Sequence, residues 1–181
     1  QAENQEWHRH CVGRLTASCF GPAKSCKTDG SLVQQVLGRS KPVRNQHVEH
    51  GIHYEPIARA VYVEKELTKH ERGVCTESGL FLSRDNARFA ASPDALVSCK
   101  CCGNGLLEIK CTSAHRDMTV EEIAQLRNYH FKADEDGRPV LKPTSSWYHQ
   151  VQAQLFVCQR EWCDFVLFTM NGPPSVERVY A

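Results

Sequence analysis

The sequence predicts an α/β (α+β) fold in which a central β-sheet is flanked by helices. Two strand-like segments, residues 94–98 and 106–110, surround a turn rich in glycine and cysteine, and residues 163–170 form an apolar run of strand length. Segments with helix-capping residues separate the strands. A chain of 181 residues can bury one core, and we see no internal repeat or linker, so we expect one domain over residues 1–181.

The first third of the chain is predicted to be mainly helical. Residues 7–20 (WHRHCVGRLTASCF) are basic and fit a helix or turn, and residues 21–30, which begin with a Gly-Pro pair, fit a loop. A second helix is predicted over about residues 43–67. Because Pro56 cannot donate a backbone hydrogen bond, it must lie in the first turn of that helix or kink it.

Two hairpins are predicted in the middle of the chain, because strand-like segments flank turn-forming residues there. Each contains a strand, a turn and a returning strand: residues 79–83, 84–86 and 88–91 in the first, and residues 94–98, 100–105 and 106–110 in the second.

The last third of the chain alternates helices and strands. Thr119 and Glu122 form a capping box, which predicts a helix that continues to about Phe131. The pattern then predicts a polar loop, a helix capped by Ser145 or Ser146, a buried strand and a last short strand that pairs with it: residues 134–143, 145–158, 163–170 and about 176–180.

Composition limits the classes of protein. With 22 Lys+Arg against 21 Asp+Glu, the formal net charge is +1, so any basic surface for nucleic acid must be local. No apolar run approaches the ~18 residues of a membrane span, and no signal peptide is visible in the first ten residues. We therefore interpret the ten cysteines as reduced thiols in an intracellular protein, nuclear or cytoplasmic, with no membrane partner.

The second hairpin contains the residues most typical of a catalytic site. Residues two apart in a strand face the same side, so Glu108 and Lys110 project together while Ile109 turns into the core. Asp94 follows Pro93 at the start of the paired strand and completes the cluster. Carboxylates bind Mg²⁺ or Mn²⁺, the Ile109 carbonyl can add an oxygen ligand, and a lysine can orient or help deprotonate the water that attacks a phosphodiester.

A Glu-x-Lys pair alone is a common surface feature of strands. Here, however, Glu108 lies among Leu106, Leu107 and Ile109. A charged pair within an apolar strand is not explained by a solvated face. The pattern therefore favours a functional site.

Four short blocks occur in order between Trp7 and Gln154. They are Trp7-His8 with residues 13–18 (GRLTAS), residues 51–59 (GIHYEPIAR), residues 92–95 (SPDA) with 107–110 (LEIK), and residues 150–152 (QVQ). Together they resemble the lambda-type phage exonucleases and their YqaJ-like viral recombinase relatives. The resemblance implies a PD-(D/E)xK, restriction-endonuclease-like core with a central mixed β-sheet.

The resemblance also implies a role for each matching residue. Asp94, Glu108 and Glu55 would be metal ligands with the Ile109 carbonyl, Lys110 would activate the attacking water, and Gln152 with Gln150 would line the site. A glutamine suits this position because it can donate to phosphate and accept from water without adding charge. From the residues alone, Gln150 and Gln152 also fit a polar helix face, and Glu55 fits a solvated helical glutamate.

The N-terminal block resembles the part of these enzymes that receives the 5′ phosphate of the degraded strand. The matching DNA-binding positions are Arg14, Thr16, Ser18 and Ser92, together with Gln150. A guanidinium and several hydroxyls suit a terminal phosphate. Many family members have an arginine four residues after the tryptophan, where this chain has Cys11, so Arg9 or Arg14 would have to substitute.

The implied activity is that of a Mg²⁺-dependent phosphodiesterase, with Mn²⁺ as a possible substitute. It would be a 5′ to 3′ exonuclease on linear double-stranded DNA ends, acting in recombination or end processing. Family analogy adds a homotrimeric ring and a recombination (annealing) protein as partner. A structure-specific endonuclease or resolvase stays open, as does a non-catalytic DNA-binding or zinc-stapled module, although the intact Asp94, Glu108 and Lys110 favour the enzyme.

Three cysteines lie around the turn of the second hairpin. Cys99, Cys101 and Cys102 could form a zinc site with Cys111 or Cys75. Structural zinc sites usually contain C-x₂-C pairs, and a C-x-C-C spacing is cramped. The spacing therefore favours free thiols over zinc.

Overall fold

The computed structural model describes residues 4–27, 30–40 and 45–181. The elements in chain order are α1 (Gln5–Cys11), β1 (Leu15–Thr16), a 3₁₀ helix (Ala17–Cys19), α2 (Phe20–Ser25), α3 (Gly30–Val36), α4 (Gln46–Lys65), a 3₁₀ helix (Leu67–Lys69), β2 (Val74–Glu77), β3 (Phe81–Leu82), β4 (Phe89–Ala91), β5 (Ala95–Cys99), β6 (Gly103–Cys111), α5 (Val120–Ala124), β7 (Phe131–Ala133), β8 (Pro139–Leu141), α6 (Ser146–Cys158), β9 (Trp162–Phe168) and β10 (Ser175–Tyr180).

The main sheet has five strands in the order β10-β9-β6-β5-β2. The central pair, β6 and β9, is parallel, and the other neighbours are antiparallel. Strands β1, β4 and β3 form a smaller sheet, and β7 pairs with β8. The prediction of a mixed α/β fold with a central mixed sheet flanked by helices is therefore confirmed.

Helices α4 and α6 cover opposite faces of the main sheet. On one face Leu106 of β6 belongs to the same buried cluster as Leu155 of α6. On the other face Leu107 and Ile109 cluster with Tyr62 of α4. Because β6 is covered on both sides, its sequence is apolar on both faces, and any polar residue within it needs partners inside the protein.

Both predicted hairpins are confirmed, with altered strand lengths. In the first, β3 and β4 are shorter than expected. In the second, β5 and β6 extend further into the predicted turn. Ser145 caps α6 by accepting a hydrogen bond from the Tyr148 N–H, and β9 pairs with β10, as predicted. No helix among the described residues is long and apolar enough to cross a membrane.

The helix predicted after Thr119 is too long. The capping box forms as expected, but α5 ends after five residues and Phe131 begins a strand. Lys142 Nζ donates hydrogen bonds to the carbonyls of Arg127 and Tyr129 at 2.9 and 2.8 Å, which satisfies backbone groups that a longer helix would have used. The segment predicted as a polar loop, residues 134–143, contains the strand β8, which pairs with β7.

The loop predicted over residues 21–30 is partly wrong, because the Gly-Pro pair lies inside α2. Residues 28 and 29 are outside the described part of the chain. A side chain at Gly21 would place its Cβ 2.6 Å from Ser146 Cβ. Gly21 is therefore needed for close packing of α2 against α6, and it does not mark a turn.

Helix α4 begins at Gln46, after the cap Asn45, and it ends at Lys65. The predicted start at residue 43 lies outside the described residues. Pro56 is well inside the helix and not in its first turn. Because proline has no N–H, the carbonyl of Ile52 receives no helical hydrogen bond at that point.

Candidate active site

Glu108 lies in the middle of β6 and is only 2% exposed. Three side chains donate hydrogen bonds to its carboxylate: Lys110 Nζ at 2.6 Å, Gln150 Nε2 at 2.5 Å and Gln154 Nε2 at 2.7 Å. Lys110 is two residues further along the same strand, while Gln150 and Gln154 are one turn apart on α6. The donors satisfy the buried carboxylate and hold it in one orientation.

Asp94 is positioned by the edge of the same hairpin. Its N–H donates to the Leu107 carbonyl at 3.0 Å, and its Oδ2 accepts from the Ile109 N–H at 2.6 Å. Ala95 pairs with Leu107, so this register brings Asp94 beside Glu108. The Ile109 side chain is 5% exposed and packs in the core, as the strand alternation predicted.

The charges of this cluster shift the pKa values of Asp94 and Lys110. Burial raises the pKa of Asp94 well above its ordinary value, and the neighbouring carboxylates of Glu108 and Glu55 raise it further, against the opposing effect of Lys110. Burial alone would lower the pKa of Lys110, but the charges of Glu108 and Asp94 outweigh it and raise that pKa. The site therefore has more negative charge than its lysine can balance.

The atoms of the cluster fit a hard divalent cation. The carboxylate of Glu108 is close enough to Asp94 to raise the pKa of Asp94, which is the arrangement that a cation would stabilise. Gln154 Oε1 is buried and accepts no hydrogen bond from the described residues, so one oxygen beside Glu108 has unused capacity. Oxygen donors of this kind are those that Mg²⁺ and Mn²⁺ prefer.

Glu55 of α4 lines a cleft of about 600 Å³ together with Asp94 and Trp7. Arg59, one turn further along α4, donates from Nη2 to Glu55 Oε1 at 2.7 Å. Arg59 Nη1 also lies 3.7 Å from the Glu77 carboxylate. The cleft therefore contains the partly buried Arg59 beside the acidic cluster. Sequence reasoning did not select Arg59, although its i,i+4 spacing from Glu55 was visible.

The structure does not bring Gln152, a predicted site residue, into this cluster. Gln152 Nε2 donates to the Tyr180 carbonyl at 2.7 Å. Residues two apart on a helix are about 200° apart around its axis, so Gln152 cannot share the face of Gln150. Gln154, which the sequence analysis missed, is the second glutamine of the site.

A smaller cavity lies next to the acidic cluster. Its polar lining comes from the side chains predicted to contact the DNA end, Thr16, Ser18, Ser92 and Gln150, together with Trp7 and Gln154. Trp7 Nε1 donates to Ser92 Oγ at 3.2 Å, and the hydroxyls of Thr16 and Ser18 are 3.3 Å apart. The structure thus brings four of the five predicted DNA-binding residues to one place, and Trp7 lines both this cavity and the larger cleft.

Arg14 is the predicted DNA-binding residue that the structure places elsewhere. Its Nε donates to the Ala87 carbonyl at 2.9 Å and its Nη1 to the His10 carbonyl at 2.5 Å. It lines a separate depression beside the β3–β4 turn. The guanidinium connects the end of α1 to that turn, and the structure does not bring it to the small cavity with the other predicted DNA-binding residues.

The chain is similar to known proteins in sequence and in fold. The sequence profile of the YqaJ-like viral recombinase domain matches residues 6–161. The alkaline exonuclease LHK-Exo from Laribacter hongkongensis is similar over 98% of this chain and 82% of its own, with 27% identity and a TM-score of 0.67. LHK-Exo in complex with dAMP gives the same coverages, 28% identity and a TM-score of 0.69.

A more distant structure shares the fold alone. SOX in its complex with DNA has 12% identity and a TM-score of 0.55, over 95% of this chain and 57% of its own. No protein with a curated description matches the sequence significantly.

Proposed function

Because the chain belongs to the YqaJ-like viral recombinase domain family, we propose that it is a metal-dependent deoxyribonuclease that degrades linear double-stranded DNA from its 5′ ends. The observation that carries the proposal is the buried Glu108 carboxylate, held by Lys110 and two glutamines beside Asp94. Similarity to an alkaline exonuclease supports the same class of reaction.

In this proposal Asp94 and Glu108 hold Mg²⁺ or Mn²⁺, with Glu55 and the Ile109 carbonyl as further oxygen ligands. When bound, such an ion neutralises the charge that develops on the phosphate and lowers the pKa of water. Lys110 Nζ orients the attacking water by hydrogen bonding, and Gln150 and Gln154 keep the Glu108 carboxylate in position.

The small cavity supports action at a DNA end. Gln150 and Gln154 line this cavity and also contact Glu108, so a terminal phosphate held there would lie close to the acidic cluster. The hydroxyls of Thr16, Ser18 and Ser92 and the indole N–H of Trp7 can donate hydrogen bonds to phosphate oxygens. No arginine or lysine lines this cavity among the described residues, so we expect recognition to depend mainly on hydrogen bonds.

The decisive experiment compares DNA substrates that differ only at their ends. We expect Mg²⁺-dependent shortening of linear duplex labelled at either end, with faster degradation when a 5′ phosphate is present. Label at the 5′ end should appear first in short products. Covalently closed circles of the same sequence should stay intact.

Each other outcome favours a specific alternative. Rapid cleavage of closed circles or of branched DNA would support the endonuclease or resolvase. DNA binding without hydrolysis in either Mg²⁺ or Mn²⁺ would support a non-catalytic DNA-binding module. Release of label first from the 3′ end would overturn the proposed polarity while leaving the nuclease assignment in place.

The assembly, partner and location are also proposals. A homotrimeric ring around DNA and an annealing protein that receives the exposed strand would fit an exonuclease of recombination, and such an enzyme would act where DNA is, in the nucleus or cytoplasm. Light scattering on the purified chain tests the ring directly. A monomeric or dimeric mass at working concentration would contradict it.

A further inference from the structure

Four potential metal ligands lie close together at the turn of the β5–β6 hairpin, at the opposite end from Asp94. They are Nδ1 or Nε2 of His70 and the Sγ atoms of Cys99, Cys101 and Cys102, and all four ligand atoms lie within 4.8 Å of one another. Cys99 ends β5, Cys101 and Cys102 form the turn before β6, and His70 follows the 3₁₀ helix after α4. Residues distant in sequence thus supply one compact group.

The distances among these atoms match a tetrahedron around one ion. Zn–S bonds of about 2.3 Å and Zn–N bonds of about 2.0 Å require S···S edges of about 3.8 Å and S···N edges of about 3.5 Å. The S···S distances are 3.5 Å for Cys99–Cys101 and 3.7 Å for Cys101–Cys102. His70 Nδ1 lies 3.7, 3.2 and 3.5 Å from the sulfurs of Cys99, Cys101 and Cys102.

The backbone already supports this arrangement. The Lys100 N–H donates to the Glu71 carbonyl at 2.8 Å, which fixes the turn against the segment that carries His70. Gly103 has φ +76, a conformation that L side chains rarely adopt and that ends the tight turn. On the other side of the turn, Trp162 Nε1 donates to the Cys102 carbonyl at 3.0 Å. Hydrogen bonds to the backbone of the turn therefore hold the cluster in place, so it is not a chance contact of flexible side chains.

We propose that His70, Cys99, Cys101 and Cys102 bind one structural zinc ion. Three thiolates and one imidazole are a closed ligand set that leaves no position for substrate, which is typical of a structural site. The ion would fasten the β5–β6 turn to the end of α4. This hairpin carries Asp94 and Glu108, and α4 carries Glu55, so the zinc would fix the relative positions of the elements that form the candidate active site.

The zinc proposal corrects the expectation from spacing. The sequence pattern suggested Cys111 or Cys75 as the fourth ligand, but Cys75 is in β2 and Cys111 is at the far end of β6, and neither belongs to the cluster. The C-x-C-C spacing alone is cramped, and His70 is a ligand that the sequence pattern did not suggest. With His70 as the fourth ligand, the five distances given above lie within about 0.3 Å of the edges of a tetrahedral zinc site.

The test is independent of nuclease activity. The full chain is purified under reducing conditions without chelator, and its metals are measured by elemental mass spectrometry. We expect one zinc per chain and little iron. Replacing zinc with Co²⁺ should give the visible absorption bands of a four-coordinate site and a strong thiolate charge-transfer band in the near ultraviolet.

Variants separate this site from other cysteines and from the carboxylates. Cys101→Ser should lose zinc, whereas Cys26→Ser, an exposed cysteine outside the cluster, should keep it. His70→Cys should restore a four-thiolate site and retain zinc, and Asp94→Asn should also retain it. If Cys101→Ser fails to fold, thiol labelling of the unaltered chain decides the matter, because zinc should protect three thiols that chelator then exposes.

Several results would overturn the proposal. Absence of stoichiometric zinc after supplementation, equal zinc in Cys101→Ser, or loss of zinc in Asp94→Asn would each do so. A disulfide among Cys99, Cys101 and Cys102 in the protein isolated under reducing conditions would show that these cysteines form a redox-active group and not a metal site. One iron per chain, together with absorption bands in the near ultraviolet and visible, would show that the site binds iron and not zinc.

Discussion

Gln154 donates its side-chain amide to the Glu108 carboxylate at 2.7 Å, with both residues almost inaccessible to solvent at 1% and 2% exposure. A carboxylate in the interior is tolerated only when donors satisfy it, and a neutral amide does so without cancelling its charge. The other half of the amide, Oε1, has no partner among the described residues. The hydrogen bond to Glu108 therefore orients the buried Gln154 amide, which suits a residue that positions a metal ligand.

The first prediction compares two glutamines on the same helix. Gln154→Ala removes a donor from Glu108 and should lower nuclease turnover by about tenfold to a hundredfold, which is the usual effect of losing a partner of a metal ligand. Gln152→Ala removes only a contact with the Tyr180 carbonyl and should leave turnover near that of the unaltered chain. Steady-state degradation of a linear duplex measures both.

A structural effect of Gln154→Ala can be distinguished from a functional one. The metal concentration that gives half-maximal activity should rise in Gln154→Ala, whereas simple destabilisation would lower activity equally at all metal concentrations. Equal activity of both variants, or greater loss in Gln152→Ala, would reject the role of Gln154.

The ends of α6 could be predicted from the sequence, but the side chains that α6 presents to Glu108 could not. The cap Ser145 and the end at Cys158 were visible because capping and periodicity are local properties. The glutamine pair that contacts Glu108 was not visible, because the resemblance covered Gln150 and Gln152, whereas Gln152 contacts the Tyr180 carbonyl. A helical interpretation of Gln150 and Gln154 as an i,i+4 pair would have identified the right face.

Long-range contacts explain the remaining differences. The strand alternation around Glu108 predicted its cluster with Lys110 correctly, because strand periodicity alone brings them together. His70 joins three cysteines about thirty residues further along the chain, and Arg14 turns toward the Ala87 carbonyl. Neither contact leaves a trace in local spacing, so neither could be derived from it.

The second prediction concerns the metal and the lysine. Chelation of divalent ions should abolish degradation of linear DNA, and Mg²⁺ or Mn²⁺ should restore it. Lys110→Ala should lose turnover at least a hundredfold, as expected for removal of a group that acts on the attacking water. It should still bind DNA, because the small cavity and the carboxylates are unchanged.

Gel-shift binding and single-turnover hydrolysis measure the two properties separately. Lys69→Ala is a matched control, since Lys69 is exposed and pairs with Glu66 at the surface. Full hydrolytic activity of Lys110→Ala would contradict the proposed mechanism. Loss of DNA binding with no specific loss of turnover would show that Lys110 serves binding instead.

The third prediction separates two candidates for recognition of the DNA end. Ser92→Ala removes the acceptor of the Trp7 indole N–H and one hydroxyl of the small cavity. It should reduce the preference for a 5′ phosphate, by an amount close to the loss of one hydrogen bond, roughly threefold to tenfold in rate. Arg14→Lys should leave this preference unchanged, because its guanidinium contacts backbone carbonyls elsewhere.

The ratio of rates on phosphorylated and unphosphorylated ends is the appropriate measurement, because changes in stability or protein concentration cancel in it. A ratio that falls in Arg14→Lys and not in Ser92→Ala would return Arg14 to the site. Unchanged ratios in both variants would indicate that the end is recognised by other residues.

The fourth prediction concerns a buried network on the far side of the sheet from Glu108. Asp164 of β9 accepts two hydrogen bonds from Arg178, at 2.8 and 2.9 Å, and one from Tyr62 Oη at 2.7 Å. Removing one member of a buried ion pair leaves the other charge uncompensated, so Asp164→Ala should lower the free energy of unfolding by about 3–5 kcal/mol. Tyr62→Phe removes one hydrogen bond to a charged group and should cost about 1.5–3 kcal/mol.

Urea denaturation at neutral and alkaline pH tests the network. Burial and the adjacent Asp164 raise the pKa of Tyr62 above its ordinary value of 10.0, so the folded state keeps the phenol protonated while the unfolded state ionises. The resulting stability is complete below pH 10 and is lost as the pH rises further. The difference between the unaltered chain and Tyr62→Phe should therefore narrow above about pH 10. A difference that stays constant above pH 10 would contradict the raised pKa of Tyr62. No difference at any pH would show that the Tyr62 hydroxyl adds nothing to stability, and unchanged stability of Asp164→Ala would contradict the whole network.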